Sequence, residues 1–190
     1  MENILIIVVA IVGTAGLLFY FRGGKKADHA LAHQLVGEAL EEKRKGNIDH
    51  MQYLLQNALG QFESGAVDDM SKYSTCIVNL AESYTRTGKF DQARELYKRM
   101  LAKWETALNT RDQTSLLEID YFASTADFGS GISDVANFYR KVVAVKKQMF
   151  GLNHKEVANS MILCSRLLAK AGERAEAQQM EAEANELGGT

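Results

Sequence analysis

The chain has 190 residues, of which 46% are hydrophobic and 24% charged, and its formal net charge is −2. That composition excludes a disordered chain, and the lack of a basic excess excludes a protein built to hold a nucleic-acid backbone. Proline is absent and there are only two cysteines, Cys76 and Cys164, which suits uninterrupted helices and excludes a disulfide framework.

The first element is ILIIVVAIVGTAGLLFYF, residues 4–21, which carries no charge. As a helix it would reach roughly 27 Å, close to the hydrocarbon core of a bilayer. It is apolar on every side, so it is expected to span the membrane rather than lie on it. Residues 1–3 contain no basic side chain, whereas Arg22, Lys25 and Lys26 follow the apolar run. A cleaved export signal has the opposite order. The expectation is a retained single-pass helix, with the rest of the chain on the cytoplasmic side and both thiols reduced. Removal of the segment as a signal, giving an exported soluble protein, is the rival. Residues 22–31 read as a basic, glycine-containing linker.

From about residue 32 onward the pattern is helical throughout and repeats. Gly46, Gly88, Ser130 (with glycine on both sides) and Gly172 stand 42 residues apart. A period of this size points to stacked helical hairpins. Ile77, Leu80, Ala81 and Tyr84 form an apolar stripe before Gly88, and Ala93, Tyr97 and Met100 form one after it. Gly88 is expected to end the first helix in a left-handed conformation. Leu80 and Ala81 correspond to Glu38 and Ala39, Phe122 and Ala123, and Cys164 and Ser165. Tyr97 corresponds to Leu55, Tyr139 and Glu181. Glu38 and Glu181 mark the outer units as atypical, as the ends of a solenoid should be. Asn153 with Glu156 predicts a capping box before a helix near residue 155.

Leu80, Ala81, Tyr84, Gly88, Phe90, Ala93 and Tyr97 together resemble the tetratricopeptide repeat. The 42-residue period, with the segment from Tyr139 to Met161, resembles the longer variant found in kinesin light chain. The resemblance covers residues 32–187 and implies an all-α helical-hairpin solenoid of about four units, preceded by the membrane helix. It also implies a groove lined by the first helix of each unit, which binds a protein or peptide. The family's groove positions fall on His33, Val36, Lys43 and Arg44 in the first unit. The second unit supplies Val78, Asn79, Glu82, Thr85 and Arg86, and the third Asp120, Tyr121, Ser124, Asp127 and Phe128. The fourth supplies Asn159, Ile162, Leu163, Arg166 and Lys170. Asn79 takes the place of an amide that can bond a peptide backbone. Val36 stands where a carboxylate clamp would have lysine, so chaperone-tail binding is not expected.

No catalytic constellation emerges. His29 and His33 have the spacing of a zinc pair but no third ligand follows, and they read as solvated residues near the linker. Asp68 and Asp69 suit a helix N-terminus. His154 is expected to contact the first turn of the next helix. The glycine clusters lack the Gly-Lys-Ser/Thr ending of a phosphate loop. The sequence therefore predicts no enzyme, no metal and no cofactor. It predicts an adaptor held at a bilayer through residues 4–21, or an assembly factor for a membrane complex, with no role in binding nucleic acid.

Overall fold

The computed structural model describes residues 28–64 and 69–188. The expected membrane helix and the flanking Arg22, Lys25 and Lys26 lie outside the described residues, as does Asp68. Among the described residues no helix is long and apolar enough to cross a membrane.

Among the described residues eight α-helices follow one another: α1 His29–Lys45, α2 Ile48–Glu63, α3 Met70–Arg86, α4 Phe90–Thr110, α5 Gln113–Thr125, α6 Ile132–Phe150, α7 Lys155–Lys170 and α8 Arg174–Gly188. Three pairs in chain order close as hairpins, α1–α2, α3–α4 and α7–α8, while α5 and α6 fill the place of the remaining pair without packing closely on each other. The first helix starts at His29, three residues before the expected boundary, because Asp28 caps it by accepting from the Leu31 N–H at 2.9 Å.

The repeat has a visible backbone cause. Gly46, Gly88 and Gly172 all have positive φ, at 81°, 75° and 90°. In each case the following residue's N–H reaches back to a carbonyl of the last helical turn: Asn47 to Glu42, Lys89 to Tyr84 and Glu173 to Leu168. This is the glycine-capped helix end that lets the chain reverse in a few residues. At the fourth equivalent position the chain behaves differently. Ser130 sits in a 3₁₀ turn, Gly129–Gly131, and the connection lengthens. As a result α5 stands off from α6, whereas the other three hairpins close tightly. The gap is filled by Phe122, Phe138 and the ring of Trp104, which approaches them at 6.2 and 5.8 Å.

The core follows the expected register. Leu80, Ala81, Ala39, Phe122, Ala123, Cys164 and Ser165 are buried, and so are Leu55, Tyr97 and Tyr139. Glu181 is exposed on the outer helix. Glu38 also points outward and accepts from Gln34, while Ala32, Val36 and Ala39 carry the buried stripe of α1. Phe90, one of the residues that carry the family resemblance, is 55% exposed, because it opens α4 at the turn edge. Two expectations are corrected. Val36 and Phe128 are buried, not in the groove; Phe128 packs edge-on against Tyr97. The cap of α7 is His154, whose Nδ1 accepts from the Glu156 N–H, rather than Asn153. Cys76 and Cys164 are buried free thiols, and burial pushes them up to about 12 and about 11 respectively.

Candidate peptide-binding face

The first helices of the four pairs, α1, α3, α5 and α7, stand side by side, each touching the next. In a helical solenoid, the side formed by the first helices is the face offered to extended ligands.

Sequence reasoning placed Lys43, Asn79, Glu82 and Arg86 in this face, and the structure brings all four together. They line a cleft of about 320 Å³ at the C-terminal ends of α1 and α3, with Ile48 and Met51 of α2. Lys43 Nζ donates to Asn79 Oδ1 at 2.8 Å and to Glu82 Oε2 at 2.7 Å. The Asn79 amide also donates to the Thr75 carbonyl at 2.8 Å. Asn79 is thus oriented from both ends, and keeps one amide hydrogen and one lone pair for a ligand. Arg86 is exposed at the rim. Of the neighbouring positions, Val78 is half-buried, Thr85 bonds back to the Ala81 carbonyl, and Arg44 pairs with Glu41 on the helix surface.

In the third unit Tyr121 is 60% exposed, as a groove residue should be. Ser124 and Asp127 have local work: Ser124 donates to the Tyr121 carbonyl, and Asp127 accepts from the Gly129 N–H. Asp120 turns inward. Its carboxylate takes the Tyr139 hydroxyl and the ammonium of buried Lys146, which also donates to Ser160 Oγ at 2.8 Å. In the fourth unit Asn159, Arg166 and Lys170 are exposed along α7, while Ile162 and Leu163 are half-buried against the core.

Two further clefts flank α5, and sequence reasoning missed their key residues. On the α3 side, a cleft of about 620 Å³ holds Asp69, Asp112, Ser115 and Glu118, with His33 from α1. His33 lies 3.7 Å from Asp69. Asp69 and Asp112 cap α3 and α5. Burial, and then the charges of Asp69 and Asp112, push the Glu118 carboxyl up. On the α7 side, a cleft of about 240 Å³ is lined by Leu116, Leu117 and Phe150, with Gln113, Glu156 and the Lys146 stem. Leu117 is 61% exposed. The signal was present in the sequence: Leu117 and Glu118 lie four and three residues before Tyr121, on the same helix face. Among the described residues no cluster of three or more His, Cys, Asp or Glu side chains could hold a metal.

Residues 74–114, spanning α3 and α4, match the family model described as tetratricopeptide repeat. The chain is similar to the crystal structure of BtubC (BKLC) from P. vanneervenii, at 19% identity and a TM-score of 0.51. The similarity covers 93% of this chain and 68% of that one. No curated protein matches the sequence. These findings support a tetratricopeptide-type helical repeat, a fold that generally mediates protein–protein interaction.

Proposed function

We propose that the chain is an adaptor that holds a protein or peptide partner on the face formed by α1, α3, α5 and α7, close to a membrane in which residues 4–21 are anchored. One observation carries the reading. Lys43, Asn79, Glu82 and Arg86, drawn from two successive repeats, converge on one solvent-open cleft, with the first three oriented by the Lys43 hydrogen bonds. Preorganised polar groups lower the ordering cost of binding a flexible segment. The bilayer anchor rests on the apolar run and on the Arg22, Lys25 and Lys26 cluster after it, which favours a cytoplasmic repeat domain.

The test is partner capture by the full-length protein from detergent extracts, repeated with Asn79→Ala and Arg86→Ala together. Recovery of a defined partner should fall at least tenfold. Recovery indifferent to both changes would remove this face from consideration. Intact mass of the native protein and protease added outside sealed cells test the anchor. A chain starting beyond Phe21, or digestion of the repeat domain from outside, would replace the cytoplasmic anchored reading with an exported one.

A further inference from the structure

The ridge of α5 differs in chemistry from the rest of the face. Leu117 and Tyr121, one turn apart, are 61% and 60% exposed, among the largest apolar side chains left open. The cleft on the α3 side of this ridge is acidic through Asp69, Asp112 and Glu118. The cleft on the α7 side is mainly apolar through Leu116, Leu117 and Phe150, with Gln113 and Glu156 also in its lining, and its one ammonium, on Lys146, is already held by Asp120 and Ser160. At about 240 Å³ it is smaller than the roughly 300 Å³ at which small-molecule pockets begin, and suits a single large side chain. No other lysine and no arginine lines either cleft.

We infer that the α5 ridge docks a peptide segment carrying a lysine or arginine and a large apolar residue about three positions apart. The base enters the acidic cleft beside Glu118, and the apolar side chain enters the cleft beside Leu117. The spacing follows from geometry: neighbouring helices lie about 8–10 Å apart, and an extended chain advances about 3.3 Å per residue. Charge complementarity selects this occupant. An acidic segment would meet Asp69, Asp112, Glu118 and Glu156, and so would an anionic lipid headgroup. The inference rests on the groove function proposed above and names the chemistry of its partner.

An array of ten-residue peptides in which charge and apolar content vary independently, probed with the full-length protein in an uncharged detergent, tests it. Peptides with a base and a Leu or Phe three positions apart should bind at least tenfold better than versions with Glu for the base or Ser for the apolar residue. Leu117→Ser and Glu118→Lys, both at solvent-accessible positions, should each abolish that preference while leaving the helical circular-dichroism signal unchanged. Equal binding of all three peptide classes, or a preference unaltered by both substitutions, overturns the inference. Partner capture that depends on Asn79 and Arg86 without any basic–apolar preference overturns this inference alone. Capture indifferent to Asn79, Arg86, Leu117 and Glu118 overturns the groove function as well.

Discussion

Lys147 on α6 bonds Glu183 on α8 at 2.8 Å, at the repeat position where Glu63 on α2 meets Arg99 on α4 and Glu105 on α4 meets Lys141 on α6. The three pairs are spaced 42 residues apart on both sides, and the last carries the charges in exchanged order. An ion pair at this repeat position thus links the second helices at every step, and Arg94–Asp134 and Arg140–Glu176 add further pairs at the second and third steps. Exposed pairs of this kind contribute roughly 0.2–1 kcal/mol each. Glu105→Lys or Lys141→Glu alone should each destabilise by about that amount. The double exchange should recover most of the loss, because it recreates the order already present at Lys147 and Glu183. A double-mutant cycle by denaturant unfolding reads the coupling directly. Strictly additive losses would show that the rungs carry no stability.

Gly131 is required for a different reason from the turn glycines. Its φ is −91°, open to any residue. A Cβ there would sit 2.8 Å from Tyr97 Cγ and nearer still to Cδ2. The Tyr97 ring cannot retreat, since it is fully buried against Phe128 and its hydroxyl donates to the Asp127 carbonyl at 3.0 Å. Gly131→Ala should cost about 1–3 kcal/mol by overpacking. Gly37→Ala, in the middle of α1 with nothing within 4 Å of the new Cβ, should instead stabilise by roughly 0.5–1 kcal/mol. Thermal unfolding of the two variants checks the contrast in sign.

Where the sequence repeated faithfully, it was legible. The apolar stripes around Gly88 and the glycine ends at 46 and 172 follow from local rules, and so do the three closed hairpins built on them. The third unit was less legible because its deviations act at a distance. Ser130 replaces the turn glycine, and the freed connection lets α5 move away from α6. What fills the space is Trp104 from the preceding repeat and Lys146 from the following helix, neither predictable from periodicity. The same opening created the small apolar cleft beside Leu117. Groove positions carried over from the family fall on solvent-accessible side chains at Asn79, Glu82, Arg86 and Tyr121. They failed at Val36 and Phe128, where this chain spends an apolar side chain on its own core.

The Lys146 side chain is only 2% exposed, whereas its partner Asp120 keeps 23%. Removing the two partners should therefore have unequal effects. Asp120→Asn leaves a buried ammonium without its counter-charge, with only neutral oxygens of Asn and Ser160 to accept from it, and breaking a buried pair in this way costs about 3–5 kcal/mol. Lys146→Met keeps the volume and leaves a carboxylate that still accepts from Tyr139 and reaches water. It should cost less than Asp120→Asn and be close to neutral. Equal losses in urea unfolding would mean that the pair, rather than burial of the ammonium, controls the stability.

Glu42 closes the turn between α1 and α2. It accepts from Lys45 at 2.7 Å and from Asn47 at 2.6 Å, with His50 Nδ1 at 3.4 Å. These bonds, Lys45 first, hold its carboxyl at about 2, below the ordinary 4.5. A carboxylate with a lowered value in the fold stabilises above the unfolded value and loses that contribution as the pH falls through the folded one. Glu42→Gln should therefore lower the melting temperature at pH 7. The gap from the natural protein should stay constant down to about pH 4.5 and then shrink toward pH 2. The further variant His50→Gln, which keeps a donor near Glu42, should leave the acid-side shrinkage in place. A gap that persists unchanged below pH 3 would show that Glu42 acts through packing rather than charge.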